Sequence, residues 1–262
     1  MPFLSNAGVS LRYDRAGSGP AVLLIHGWAA NRTYWERQVV ALRDRHTVVT
    51  VDLRGHGESS HPRGGYTIGA MAGDLEHLVR ALGVPRIALV GWSMGGLVAL
   101  ELAQRLGERV SALGLVCTTA GGVTDAKNPL AESARATEMK KAIDADFRTF
   151  ARDFAPSLFK DSHSALLSWV IGQMQKTPPH VAEACFDAFL AADLRGGLKK
   201  LAVPTAVLHG KHDAVLPLAH GEDLAKKIPG AKLTVFAESG HAPHLEEPEV
   251  FNAALGKLLA PQ

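Results

Sequence analysis

The strongest constraint on the fold is a set of short apolar runs that do not alternate. Ala21–Ile25, Thr47–Val51, Ile87–Val90, Ala112–Val116, Thr205–Leu208 and Leu233–Phe236 are each four or five residues long and rich in Val, Ile and Leu. A strand with one wet face alternates apolar with polar residues, so runs that are apolar throughout predict strands covered on both faces, as in a parallel sheet. Between them lie stretches with helical spacing: Tyr34–Leu42, Ile68–Leu82, Leu97–Leu106, Leu224–Ile228 and Val250–Leu259. Strand alternating with helix predicts an α/β fold, a mostly parallel twisted sheet flanked by helices.

The alternation stops between residues 121 and 200. No strand-like run occurs there. Leu130–Ile143, Phe147–Phe159, Ala165–Gln175 and Val181–Leu190 read as helices, punctuated by Pro129, Pro156 and the Pro178–Pro179 pair. The expected organisation is one core, residues 1–120 and 201–262, with an all-helical insertion at 121–200 acting as a lid. The insertion carries Phe147, Phe150, Phe154, Phe159, Trp169, Phe186 and Phe189. These aromatics either pack the insertion's own core or line a pocket beneath it.

Composition narrows the partner classes. There are 28 basic and 26 acidic residues, intermixed, for a net charge of +2, which argues against nucleic acid. Cys117 and Cys185 are far apart and in no metal-like spacing, so neither a disulfide framework nor a metal is expected, and a reduced cytoplasmic setting fits. The first fifteen residues show no secretion signal, and no apolar run reaches the roughly 18 residues needed to span a bilayer.

The chemistry enters after the run Ile87–Val90, with Gly91-Trp92-Ser93-Met94-Gly95-Gly96 followed by a helical stretch. A serine at a sharp strand-to-helix turn is held in a strained conformation that projects its hydroxyl clear of the sheet, and the flanking glycines let strand and helix approach. Such a hydroxyl is a weak nucleophile without a base, and the base needs a group to orient it. Of 12 histidines, His241 follows the last run in Ser239-Gly240-His241-Ala242-Pro243-His244, with His244 as its competitor. Asp213, in His209-Gly210-Lys211-His212-Asp213, precedes His241 by 28 residues and completes the order Ser, Asp, His, while Asp125 is the nearest alternative acid. Leu24-Ile25-His26-Gly27-Trp28 ends the first run, so the backbone N–H groups of Trp28 and Met94 are expected to face a developing oxyanion.

Together these motifs, with the Asp52-Leu53-Arg54-Gly55-His56-Gly57-Glu58-Ser59 turn, resemble the α/β-hydrolase superfamily over nearly the whole chain. Within it the chain looks most like the esterases that hydrolyse pimeloyl-carrier-protein methyl ester, on His-Gly-Trp, Gly-Trp-Ser-x-Gly-Gly and the helical lid. The resemblance implies a serine carboxylesterase acting on short- to medium-chain esters through an acyl-enzyme, with no cofactor. Trp28, Trp92, Phe147, Phe154 and Trp169 are the expected substrate-pocket residues. Arg148 and Arg152 resemble that group's lid arginines and would contact an acyl carrier protein; two solvated arginines are the equal alternative. A cofactor-free perhydrolase or a lactonase would share these motifs, and a ligand-binding receptor on the same scaffold is the non-enzymatic alternative.

Overall fold

The computed structural model describes residues 2–128, 132–161 and 164–260. Two strands precede the first expected one. β1 (Phe3–Asn6) and β2 (Val9–Ala16) form an antiparallel pair, and β2 alternates, burying Val9 and Leu11. Arg12 is buried in the same strand because Asp14 and Glu58 take its charge. Then follow β3 (Ala21–Ile25), α1 (Glu36–Leu42), β4 (Thr47–Val51), α2 (Ile68–Ala81), β5 (Ile87–Trp92), α3 (Met94–Leu106) and β6 (Val110–Val116). Helices α4 (Ser133–Phe154), α5 (Ser164–Met174) and α6 (Pro179–Ala191) separate β6 from β7 (Thr205–Gly210). The chain ends with α7 (Ala219–Lys227), β8 (Lys232–Phe236), a short α8 (Pro243–Glu246) and α9 (Pro248–Leu259).

The sheet runs β1-β2-β4-β3-β5-β6-β7-β8, parallel from β4 onward. Every residue of β3, β4 and β5 is buried, as unalternating apolar runs require. Successive residues of β3 enter opposite cores: Leu23 and Ile25 pack with α2 and α3, Val22 and Leu24 with Trp35 and Phe251. The expectation of two covered faces fails at β8, which forms the sheet edge and leaves Val235 exposed.

Among the described residues, 121–200 add no strand to the sheet, only an isolated Gly121–Asp193 bridge. The break expected near residue 146 is present: Asp146 leaves helical geometry inside α4. Its Oδ1 caps the second half by accepting from the N–H groups of Arg148 and Thr149 at 3.0 and 3.2 Å. Pro129 and Leu130, the expected start of the first helix, lie outside the described residues. Ile143, Phe147, Val170 and Phe186 join the core cluster that contains Val22 and Leu24, so these helices pack onto the sheet domain.

Candidate active site

Parallel strands bring the loops after their C-terminal ends to one edge. Ile25 pairs with Gly91, Trp92 with Val116, Val116 with Leu208, and Gly210 with Phe236. The segments after β3, β5, β7 and β8 therefore emerge at one level, bearing Trp28, Ser93, Asp213 and His241.

Ser93 has φ 55° and ψ −121°, a left-handed conformation that non-glycine residues rarely adopt. The surroundings impose it. A Cβ on Gly91 would collide with the carbonyl of Gly95, and one on Gly95 with the carbonyls of Ile25 and His26. Strand β3, strand β5 and helix α3 are thus packed backbone to backbone. The Ser93 N–H donates to Val116 O at 2.9 Å and Thr118 Oγ1 donates to Ser93 O at 2.7 Å, so both sides of the turn are held.

Asp213 and His241, 28 residues apart in sequence, meet as a buried pair with His241 Nδ1 2.8 Å from Asp213 Oδ2. Oδ1 accepts from the N–H groups of Val215 and Leu216, each at 2.8 Å. Burial pushes the Asp213 carboxyl up, but His241 and His209 favour its ionised form more strongly, so the balance holds it below the usual carboxylate range. With Nδ1 against a carboxylate, the imidazole has Nε2 left for a substrate or a hydroxyl. Trp92 Nε1 donates to His241 O at 2.7 Å, joining the serine turn to the histidine loop.

Ser93 and His241 line one cavity with Trp28, Trp92, Met94 and Phe154. Tyr34, Leu158, Met174, Phe186, Phe189 and Val215 complete most of its wall, which beyond Ser93 and His241 is mainly apolar, with Glu132 and Arg135 at the start of α4 as its charged members. Phe147 and Trp169, expected in the pocket, do not line it. Phe147 is buried edge-on behind Trp28 at 5.7 Å between centroids, and Trp169 packs on Tyr34 at 4.7 Å, so each supports a wall residue instead. Helical periodicity marked the apolar faces of these helices but not which ring faces the void.

The N–H groups of Trp28 and Met94 donate to no turn or loop carbonyl among the described residues. Trp28 is fixed by Nε1 donating to Ala182 O at 2.8 Å, which ties the loop after β3 to α6. His26 is structural: its Nδ1 meets Gly27 O at 2.7 Å and its Nε2 accepts from Leu53 N–H at 3.0 Å, with burial pushing its pKa down to about 4. His244, the competing base, is buried among Trp35, Trp92 and Phe251 with neither ring nitrogen partnered, and burial pushes its pKa down to about 3. Asp125 is paired with Arg195 at 2.6 Å. Arg148 and Arg152 are exposed on the second half of α4, Arg152 beside Asp153 at 3.0 Å. The Asp52–Ser59 turn is a charge knot, in which Asp52 binds Arg32 at 2.7 Å and accepts from the Glu58 N–H at 2.9 Å. Cys117 and Cys185 are both free and buried. No helix among the described residues is long and apolar enough to cross a membrane.

A parallel sheet whose serine turn, acid loop and histidine loop converge in this chain order defines a class of fold, and the comparisons identify it. Residues 20–248 match the alpha/beta hydrolase fold family, and the chain belongs to that family. An uncharacterized protein of Mycobacterium tuberculosis is 33% identical, with 96% of this chain and 78% of the relative covered. A pimeloyl-[acyl-carrier protein] methyl ester esterase of Nitrosomonas europaea is 29% identical over 92% of this chain and 96% of its own. Among solved structures, an esterase from Exiguobacterium antarcticum superposes with a TM-score of 0.91 at 30% identity, covering 97% of each chain.

Proposed function

We propose that the chain is a serine carboxylic ester hydrolase, with Ser93 as nucleophile, His241 as base and Asp213 as the group that orients the base. The observation that carries this reading is the buried 2.8 Å pair of His241 and Asp213 beside a cavity that Ser93 and His241 both line. His241 Nε2 takes the Ser93 proton as Oγ attacks the ester carbonyl. The N–H groups of Trp28 and Met94 bind the resulting oxyanion, and such preorganised donors are worth most in an apolar, dry site. His241 then protonates the departing alcohol. In the second half it draws a proton from water, which attacks the acyl-Ser93 carbonyl and releases the acid. Every proton and bond is accounted for by these groups, so the cycle calls on no metal or organic cofactor.

Residues 121–200 act as a lid over this site in the proposal, with 1–120 and 201–262 as the core. The cavity wall contributed by α4 and α6 supports that division. The apolar wall favours short- to medium-chain acyl groups. The relative from Nitrosomonas europaea supports a methyl ester on a carrier protein as a candidate substrate, with Arg148 and Arg152 facing the acidic carrier.

The test is a chain-length series of p-nitrophenyl esters, run beside methyl esters of free and carrier-bound acids. Wild-type protein should hydrolyse the series, and Ser93→Ala should lower turnover by about 10⁶. Turnover by Ser93→Ala within tenfold of wild type would reject the proposal.

A further inference from the structure

One carboxylate bridges the peptides of the loop that carries His241 and of the helical insertion. Glu246 Oε1 accepts from the Lys160 N–H at 2.7 Å, and Glu246 Oε2 accepts from the Gly240 N–H at 2.8 Å. Gly240 immediately precedes His241. The His241 N–H in turn donates to Leu158 O at 2.9 Å. The two segments, 158–160 and 240–241, touch so closely that a Cβ on Gly240 would stand 2.8 Å from Lys160 N and from the Phe159 carbonyl carbon. The Leu158 side chain lines the cavity. One residue therefore meets the ligand space with its side chain and holds the His241 peptide with its carbonyl.

We propose that Glu246 is a positioning residue for the base: its two carboxylate oxygens clamp the Gly240 and Lys160 peptides, so the histidine loop and the segment after α4 move as one piece. The inference rests on the serine-esterase reading of the site. A carboxylate accepting two N–H groups does this well, because the ionised group offers two strong acceptors, whereas protonation makes one oxygen a hydroxyl that donates and accepts only weakly. A proton on either oxygen removes the charge-assisted bond of that arm and loosens it.

The carboxyl is half-buried, and burial pushes its pKa up despite the peptide donors of Lys160, Gly240 and Ala242, with Glu247 adding to the rise. The other titratable groups around the clamp are Lys160, paired with Glu238, then Asp161 beside Lys160, Glu247 on the same loop, and the buried Cys117 thiol behind Gly240, which burial keeps neutral. The sign matters. A carboxyl whose folded value is raised stabilises the fold most below its unfolded value and loses that contribution as pH rises. Protonating Glu246 in mild acid therefore does not weaken the fold through this group, yet it loosens the clamp. Activity and stability should part company.

The experiment measures kcat, KM and the pH profile of kcat/KM on p-nitrophenyl acetate for wild type and Glu246→Gln, with circular dichroism at each pH. Glutamine keeps the shape but offers one acceptor. Glu246→Gln should lose about 10- to 100-fold in kcat, the worth of a hydrogen bond to a charged group, with KM within about threefold. The wild-type acid limb should steepen from one proton to two, with the fold intact, and Glu246→Gln should show one. Wild-type kcat in Glu246→Gln, or a second proton that persists in it, would overturn the proposal. If Glu246→Gln fails to fold, the wild-type limb decides alone: a one-proton slope throughout with an intact fold overturns the clamp, and a two-proton slope upholds it. A wild type that neither hydrolyses the ester nor reacts with a fluorophosphonate would instead fail the esterase reading.

Discussion

The site depends on residues placed where they are costly. Ser93 sits at φ 55°, and Asp213 is ionised although buried. Each is held by neighbours: Ser93 by the N–H to Val116 and the Thr118 hydroxyl, Asp213 by two peptide donors and His241. Asp213→Asn keeps the shape but turns the imidazole to the wrong tautomer, and should lower kcat by about 10⁴ with the fold retained. A rate within tenfold of wild type would mean another group orients His241. Stability should follow the linkage sign. A carboxyl held below its usual range stabilises the fold above the ordinary carboxylate value of about 3.9 and loses that contribution as pH falls through the lower folded value. The gap in melting temperature between wild type and Asp213→Asn should therefore be widest near neutrality and narrow below about pH 4.

The elements converge because backbone meets backbone at a few glycines. A Cβ at Gly95 would strike the carbonyls of Ile25 and His26, neither of which can rotate away. Gly95→Ala should cost about 1–3 kcal/mol and lower the melting temperature by roughly 3–10 °C. An unchanged melting temperature would show that α3 can slide off β3. Much of this architecture was legible. Six strands, the helical character of the insertion and the break before Phe147 follow from apolar periodicity and proline placement. The antiparallel β1 and β2 were missed because β2 carries Arg12 and Asp14 within an apolar alternation, and the charges hide the Val9, Leu11, Tyr13 series. The Asp213–His241 pair and the strained Ser93 turn were legible from motif and order, and so was the lining of the cavity by Trp28, Trp92 and Phe154. Phe147 and Trp169 were misplaced by one layer, because periodicity gives a helix face but not the rotation of that face against a neighbour. The Glu246 clamp was not legible, since its partners are peptide groups 86 and 6 residues away that leave no trace in side-chain pattern.

At the scale of the whole molecule, one sheet edge and the helices of the insertion enclose the cavity that Ser93 and His241 line. The attachments of the insertion to that edge include Trp28 Nε1 to Ala182 O, Arg135 to the carbonyls of Ala214 and Val215, His241 N–H to Leu158 O, and the Glu246 clamp. These attachments reach residues beside or within the proposed site, so insertion and core hold it between them. In the proposed mechanism the His241–Asp213 pair activates the Ser93 hydroxyl. Reaction with a fluorophosphonate, followed by mass analysis of the modified peptide, tests it most directly. One adduct is expected, on Ser93, abolished by Ser93→Ala and slowed by orders of magnitude in His241→Ala. Absence of an adduct in the folded wild-type protein, or labelling that persists unchanged in His241→Ala, would contradict it.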